Sequence, residues 1–497
     1  MSLLKAELIY PLATGVAAVL IYKLFKFYYQ LTYSPPGPFP LPLIGSLLEF
    51  RKKQHLFQVL SGVADRFGPV FRLFHGSLLV IVITDPVLSV QIMKKHAVAG
   101  RPKFLFTDVL FRKGSIDIVF GDFTKEWEAL RRVGHSAARK YAVNPMLSEI
   151  VSEVVDLIVD KVGDQPFPGA ENISLMMTMI LSRAAFGKKY ALDDPEFLRW
   201  LESSLYLNDN VMFLQIISVF SPLKLLYWSV WKKILREADF MNDYIEQMYQ
   251  ESASRYQEGS IRTFCDAIIA AHREARQETN RMLPYLKTQN LYNIVHNLFQ
   301  AGSDTSQTTL RWIFLFIGKH ADMQERMRAE VDMVIGDSIP TIDHRTDCHY
   351  VNAFVAEVLR FRNIVTLGVP HKATMDTEIA GYLVKKDTAV TLPLYHALHH
   401  KETWGDPEVF RPERFLRDGI FVPKPNPLFV PFGDGRRSCP GNKLAINNLF
   451  LVVSRFLQKT TSIVIPHVDQ IDMNGNLDNT NLWTPHDYKI QMTMRSK

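Results

Sequence analysis

The residues best equipped for chemistry lie in one short stretch, Pro431-Phe432-Gly433-Asp434-Gly435-Arg436-Arg437-Ser438-Cys439-Pro440-Gly441, followed at once by a helical apolar period from Lys443 to Leu457. A cysteine just before a helix sits near unpaired amide donors and the positive end of the dipole, which lowers a thiol pKa and holds a thiolate. Pro440 suits the first helical position, where a missing N–H costs nothing. Gly433, Gly435 and Gly441 permit tight turns and close approach of backbone to a flat ligand, and Arg437 adds a cation suited to a carboxylate. Together these residues describe a seat for a planar metallocycle. Two rival readings stand beside it. Cys439 is a small buried hydrophobe in one, and in the other a nucleophile, which needs a partnered histidine that no local signature supplies.

A second candidate is Ala301-Gly302-Ser303-Asp304-Thr305, inside a helical pattern from about Gln289 to His320. Ala301 and Gly302 remove bulk where a ligand must approach, and Thr305 can bond back to the carbonyl of Ala301, bending the helix and opening a pocket. An incidental Thr and Ser in a plain helix is the alternative. Glu357 and Arg360 share one helix face, and Arg414 follows in Pro412-Glu413-Arg414-Phe415. A spacing of three is commonly only a surface ion pair.

Positioning these groups takes a large body. The chain has 497 residues, 47% hydrophobic and 22% charged, which excludes disorder and fibrous repeats. Lys+Arg exceed Asp+Glu by 57 to 51, but no basic run interleaved with aromatics appears, so nucleic acid is excluded as a partner. Cys265, Cys348 and Cys439 are far apart with no CxxC pair, against a disulfide framework or a cysteine-built zinc site and for a reducing compartment. Val70 to Ile83 reads as a hairpin turning at His75-Gly76-Ser77, and Pro86 to Arg360 is mostly helical in period. From Thr374 onward, strand-like pieces such as Thr388 to Leu394 alternate with turns until the last helix. The fold class is mainly α with small β-sheets (α+β).

Leu8 to Tyr22 carries no charge; Lys23 and Lys26 then alternate with Phe25, Phe27, Tyr28 and Tyr29 before the prolines of Pro35 to Pro40. This pattern predicts a retained membrane anchor over 1–33, a proline-rich spacer over 34–45 and one catalytic domain over 46–497 on the cytosolic side. A cleaved signal peptide and a peripheral helix are the rivals. Val211 to Trp231 is also apolar, but Ser218, Ser221, Pro222 and Lys224 interrupt it, so it predicts a helix-loop-helix that dips into a membrane or packs on the core.

The chain resembles the cytochrome P-450 haem-thiolate monooxygenases. Phe432-x-x-Gly435-x-Arg437-x-Cys439-x-Gly441 matches their cysteine loop, and Ala301 to Thr305 is similar to their distal-helix motif. Glu357-x-x-Arg360 with Arg414, and Trp127-x-x-x-Arg131, match further motifs in family order, covering essentially the whole chain. The resemblance implies the P-450 fold, with haem b between a long distal helix and a proximal cysteine loop and helix. It implies Cys439 as iron ligand, Phe432 and Gly433 beside the cofactor, and Trp127, Arg131, Arg437, Arg101 and His371 as propionate contacts. Asp304 and Thr305 would deliver protons during oxygen activation, and Glu357, Arg360 and Arg414 would form a buried structural cluster. One departure is Phe361-Arg362-Asn363, where many relatives carry proline.

The implied reaction is insertion of one oxygen atom from O₂ into a C–H bond, with electrons from a separate NADPH-dependent flavoprotein reductase at the endoplasmic reticulum membrane and cytochrome b5 as an optional partner. Arg139, Lys140, Arg436 and Lys443 are candidates for its docking patch, or simply solvated charge. Val369-Pro370-His371-Lys372-Ala373, Ala397-Leu398-His399-His400 and Phe120 resemble the steroid 17-hydroxylase branch. The implied pocket is apolar: Ile118, Val119, Phe120, Ala301, Ile364, Val365, Leu367 and Thr484. Asn208, Asp209 and Asn210 are candidates for bonding a distal polar group, or solvated surface. The resemblance implies a steroid or related lipid as substrate; a broad xenobiotic or fatty-acid hydroxylase and a haem-thiolate isomerase that consumes no NADPH are the alternatives.

Overall fold

The computed structural model describes residues 2–103, 105–111, 114–219, 223–278, 286–478 and 482–495. From the N-terminus come helices α1 (Ser2–Tyr29) and α2 (Leu56–Phe67), strands β1 (Val70–His75) and β2 (Leu78–Ile83), and α3 (Pro86–Lys94). A helical run follows: α4 (Leu105–Leu110), α5 (Lys125–Ala142), α6 (Pro145–Val162), then β3 (Phe167–Pro168), α7 (Gly169–Phe186) and α8 (Pro195–Asp209). It continues through α9 (Val211–Val219), α10 (Leu223–Leu226), α11 (Trp228–Arg255), α12 (Phe264–Glu278), α13 (Thr288–Lys319), α14 (Ala321–Val334) and α15 (His349–Phe361). Next are β4 (His371–Lys372), β5 (Thr377–Ile379), β6 (Tyr382–Val384), β7 (Ala389–Thr391), α16 (Leu394–Leu398) and α17 (Lys401–Trp404). The chain closes with β8 (Leu416–Arg417), β9 (Ile420–Phe421), α18 (Asn442–Lys459), β10 (Thr460–Val464) and β11 (Lys489–Met494).

Local sequence explains many of these boundaries. Asp85 caps α3 through the Leu88 amide, Asn144 caps α6 through Met146, and Asp194 caps α8 through Glu196 and Phe197, each with proline as the first helical residue. Gly187 ends α7 in the left-handed region at φ 72°.

The residues divide into two compact units. The first, 1–102 with 367–397, holds a four-stranded sheet of order β1-β2-β7-β4. The hairpin pairs Val70 with Ile83 and His75 with Leu78, as the alternation predicts, and β7 joins β2 in parallel. Only Ala389–Thr391 of the expected Thr388 to Leu394 strand is extended. Pro393 has no N–H to offer a ladder, and the chain turns helical at Leu394. The proline-rich segment is not a free spacer. It lies along β1, with Arg72 N donating to Pro36 O at 2.9 Å and Ser46 N to Phe74 O at 2.8 Å. A Cβ on Gly37 would stand 2.3 Å from Arg72 O, so only glycine allows this approach. Phe27, near the end of α1, is buried edge-on against Phe74 with ring centroids 5.0 Å apart. Among the described residues no helix is long and apolar enough to cross a membrane.

The second unit, 103–366 with 398–497, is helical, with a sheet of order β10-β11-β3 and the ladder β8-β9. Its spine is α13, whose C-terminal half buries Leu310, Trp312, Ile313, Phe314, Leu315, Phe316 and Ile317. Each such side chain contributes roughly 1.5–3 kcal/mol by leaving water. In the apolar stretch Val211 to Trp231, α9, α10 and the start of α11 are helical; the expected interruption at Phe220, Ser221 and Pro222 lies outside the described residues.

Beside α13, the face of α15 that carries Glu357 and Arg360 is buried rather than exposed. Both side chains are fully buried, with Arg360 Nε donating to Glu357 Oε2 at 2.7 Å and Nη2 to Oε1 at 2.8 Å. Arg360 also donates to the carbonyls of Leu398 and Pro407, each at 3.0 Å, and Arg414 reaches Glu357 Oε1 at 3.3 Å. A carboxylate held by two guanidiniums is costly to break from one side, because the remaining charges stay buried. Glu357→Gln is therefore expected to destabilise the folded enzyme by about 3–5 kcal/mol in urea denaturation. A midpoint equal to wild type would show that the cluster does not hold this part of the fold.

Candidate active site

The cysteine loop hangs before α18. The N-cap of α18 is Gly441 and its first helical residue Asn442, so Pro440 stands just before the N-cap rather than at the first helical position. Gly433 and Gly435 adopt φ 69° and 71°, where a side chain would be strained. Cys439 N donates to Phe432 O at 2.9 Å, Ser438 N to Gly435 O at 3.2 Å, and Asp434 Oδ1 accepts from Gly435 N at 2.7 Å. Asn363, in the departure segment, ties the loop to the end of α15 through Pro431 O at 3.0 Å. Arg362, its neighbour, lies over the rings of Trp312, Trp483 and Phe361. Cys265 and Cys348 are buried, whereas Cys439 is half-buried. Burial pushes the Cys439 thiol up, opposed by the Gly441 N–H and the Arg131 charge. The expected lowering by the helix end is thus overridden by desolvation.

Trp127 and Arg131, one turn apart on α5, meet the loop. Thr124 caps this helix through Trp127 N at 3.1 Å, fixing where the indole emerges. The Arg437 guanidinium carbon stacks 3.7 Å from the Trp127 ring centroid, and that of Arg131 lies 5.7 Å away. Trp127 Nε1 donates to Ile118 O at 3.1 Å, Arg437 Nη2 to Gly121 O at 2.8 Å, and Arg131 to Ser438 O. Burial, then repulsion from Arg131, drives the Arg437 pKa down to about 9, and burial lowers that of Arg131. Two desolvated cations side by side call for anions.

Asp117 is the residue that sequence reading missed here. Its buried carboxylate accepts from Val119 N at 2.8 Å and Phe120 N at 2.5 Å, shaping the 117–121 turn whose carbonyls receive Trp127 and Arg437. The available signal was the local habit of Asp to cap the amides just after it.

On α13, Ala301 is exposed in the middle of a largely buried helix that runs unbroken from Thr288 to Lys319. Thr305 Oγ1 donates to Ala301 O at 2.6 Å, as its position predicts. Gly302 faces Leu181 of α7, where a Cβ would make ordinary contact at 3.6 Å, so packing there does not require glycine. Asp304 accepts from Gln307 Nε2 at 2.6 Å, and burial, then the charge of Asp209, raises its pKa to about 6, against hydrogen bonds from Gln307 and Asn208.

Of the expected pocket residues, Val119, Phe120 and Val365 are half-buried, and Ile364 and Thr484 are buried beside each other, with Trp483 N donating to Ile364 O at 2.8 Å. Ile118 is committed to the core. Its Cδ1 would stand 3.1 Å from a Cβ on Gly134, in the seam with Ile294. Leu367 belongs to the first unit and packs there on the cluster of Leu60, Val63, Phe71, Leu73 and Val82. Arg101 and His371 also lie in the first unit. Arg101 Nη1 donates to the carbonyls of Val369 and Pro370 at 3.1 and 2.9 Å, and His371 Nδ1 bonds Val98 O at 2.8 Å.

The family model for cytochrome P450 matches residues 35–492. The chain belongs to the cytochrome P450 family. This P450 is 29% identical over 439 residues to the steroid 17-alpha-hydroxylase/17,20 lyase of Ictalurus punctatus, covering 86% of this chain and 85% of that one. It is 29% identical over 456 residues to cytochrome P450 2F2 of Mus musculus, covering 88% and 90%. With cytochrome P450 2E1 of Oryctolagus cuniculus it shares 30% over 454 residues, covering 89% and 90%. It is an oxygen-dependent monooxygenase, an oxidoreductase that binds haem through a cysteine thiolate. The second unit's residues fit that group. Haem brings two propionate carboxylates, and the buried pair Arg131 and Arg437 calls for anions; it needs an accessible thiolate, and Cys439 is half-buried beside Arg131.

The raised Asp304 pKa has a stability consequence. The folded protein holds this proton more tightly than the unfolded chain does, so the stability present below the usual value of 3.8 is lost as pH rises through about 6. Asp304→Asn is therefore expected to raise the melting temperature at pH 7.5 and to change it less at pH 4. Equal shifts at both pH values would show that desolvation of this carboxylate is not what the substitution relieves.

Proposed function

We propose that this P450 hydroxylates a steroid or related lipid, with O₂ and electrons from an NADPH-dependent flavoprotein reductase. The observation that carries the reading is the bare surface at Ala301 on α13, beside Thr305 and Asp304, together with the apolar character of Val119, Phe120, Ile364 and Val365. The two steroid 17-alpha-hydroxylase/17,20 lyases, at 28–29% identity, support the substrate class. Matches at 29–30% identity to cytochromes P450 2F2 and 2E1 favour a second reading, a hydroxylase of broader range.

In this reading Cys439 holds the iron, while Arg131 and Arg437 bind propionates from the face of Trp127, with Phe432 and Gly433 shaping the backbone beside the cofactor. Bound haem supplies oxygen activation and insertion of one oxygen atom into a C–H bond. The chain's own part is proton handling: Asp304, with a pKa of about 6, can release and regain a proton near neutral pH, and Thr305 presents its hydroxyl one residue on. Arg139, Arg436 and Lys443 form the basic docking surface for the reductase, the Lys140 ammonium being held by Glu274 at 2.6 Å. Cytochrome b5 is an optional partner at the same surface. The N-terminal helix, with Lys23, Lys26 and their aromatic neighbours, anchors the enzyme to the endoplasmic reticulum membrane. Leu225, Leu226, Tyr227 and Trp228, exposed on α10 and at the start of α11, form a second apolar contact surface.

Cys439→Ser is expected to abolish the thiolate Soret band of the reduced carbon-monoxide complex, and a retained band would remove Cys439 as ligand. Thr305→Ala should raise peroxide released per NADPH oxidised by about tenfold or more, within the range one proton donor supplies. Unchanged peroxide release would remove the hydroxyl from the proton path. Titration with C21 steroids and with planar aromatics, read by the spin-state shift, decides the substrate class. Saturable shifts with steroids alone support the first reading, and shifts with both or with aromatics alone support the second.

A further inference from the structure

The N-terminal turns of α13 carry a row of carboxamides that neither haem binding nor proton delivery uses. Asn290, Asn293 and Asn297 are three and four residues apart, so they share one face of the helix, and Ala301 continues that face one turn further. Asparagine is a poor helix former, because its side chain competes for backbone groups, so the helix itself gains nothing from the row. Its partners lie in the segment 114–121. Asn290 Oδ1 accepts from Ile116 N at 3.0 Å, and Asn293 Nδ2 donates to Ser115 Oγ at 2.7 Å and to Ile116 O at 3.3 Å. Both asparagines are 3% exposed, and Asn297 Nδ2 donates to Asn293 O at 2.7 Å. The amide and the carbonyl of Ile116 are thus both satisfied by side chains of α13, as a neighbouring strand would satisfy them.

From there the segment forms a strap that is fastened at both ends. Ile118 meets Ile294, the residue after Asn293, in the seam at Gly134. Beyond it, Trp127 Nε1 holds Ile118 O at 3.1 Å and Arg437 Nη2 holds Gly121 O at 2.8 Å. Between these points Asp117 takes the amides of Val119 and Phe120, and a Cβ on Gly121 would stand 2.2 Å from Asp117 O, so only glycine closes the turn. Val119 and Phe120, both half-buried, therefore stand between two sets of anchors. Asp117 fixes the shape of the turn, whereas the two asparagines fix where it sits on the helix that bears Ala301.

We propose that Asn290 and Asn293 are specificity-determining positioning residues. By fastening Ser115 and Ile116 to α13 they set how far Val119 and Phe120 stand from the bare face at Ala301, and with it the width open to an apolar substrate. The proposal rests on the reading of Val119, Phe120 and Ala301 as pocket residues given above. Each asparagine acts through the backbone of the strap rather than by touching substrate.

The test uses imidazole and 4-phenylimidazole as iron-binding probes of the haem-loaded enzyme. The ratio of their dissociation constants isolates what the pocket wall gives the phenyl group, while hydrogen exchange of residues 114–121, read by mass spectrometry, follows the strap itself. Asn290→Leu and Asn293→Leu are each expected to lower the preference for 4-phenylimidazole by about tenfold, the worth of a buried group left unpaired, with imidazole binding unchanged and exchange of the segment faster. Asn290→Asp keeps the acceptor for Ile116 N and sits in the first turn of α13, where a carboxylate is favoured, so it should retain the wild-type preference. Ser115→Ala removes one acceptor of Asn293 and should lower the preference by less; it decides the matter where a leucine variant loads haem poorly. Phe120→Ala, which tests the underlying reading, should lower the preference as well. Wild-type preference in the Asn290, Asn293 and Ser115 variants, with Phe120→Ala altered, would overturn the proposal and leave the pocket reading standing. Unchanged preference in both Val119→Ala and Phe120→Ala would overturn the two together. Faster exchange with unchanged preference in the asparagine variants would make these residues structural only and overturn the specificity role.

Discussion

Charge taken out of water must be answered by charge or by hydrogen bonds, and this constraint organises the second unit of the enzyme. At Glu357 it is met within the protein: two guanidiniums and the Arg411 amide donate to one carboxylate, and backbone carbonyls take up the remaining donors of the guanidiniums. At Arg131 and Arg437 the balance is different. The two cations are desolvated beside one another over Trp127, each donating to a backbone carbonyl, with Asp122 and Asp117 raising the Arg437 pKa. The first arrangement fastens the scaffold; the second leaves a demand for anions that haem propionates can meet.

The same constraint gives Asp304 its character. A carboxylate on the surface of α13 would be an ordinary acid, but burial and Asp209 move its pKa towards neutrality while Gln307 and Asn208 restrain it. A group that exchanges protons at working pH is what oxygen chemistry asks of this helix. The small residues beside it face different ways. Ala301 keeps a face bare, whereas Gly302 faces Leu181 of α7 with room for a Cβ.

Much of the fold was legible because local rules and tertiary packing agree. The hairpin follows from alternation and a Gly turn, and the long helix from its period. The helix starts follow from Asp and Asn caps joined to proline. The boundaries that differ have local causes. Pro393 cuts the expected strand at Thr391, and Gly441 rather than Pro440 stands at the threshold of α18. The prolines at 35–40 read as a spacer because their stiffness shows in sequence, but the β1 edge on which they dock does not.

The sequence alone determined the chemical inventory: one cysteine in a glycine-rich loop, an acid and an alcohol adjacent on a helix, and an arginine one turn from a tryptophan. Those are matters of residue type and short spacing, which covalent geometry fixes. It could not determine environment. Whether Glu357 and Arg360 form a surface pair or a buried one, and whether the Cys439 thiol is lowered by a helix end or raised by burial, depends on what distant segments pack around them. The same holds for Ile118, which is buried in the seam of Gly134 and Ile294. Desolvation and long-range hydrogen bonds are set by residues far apart in the chain, so they come into being only when the tertiary structure forms.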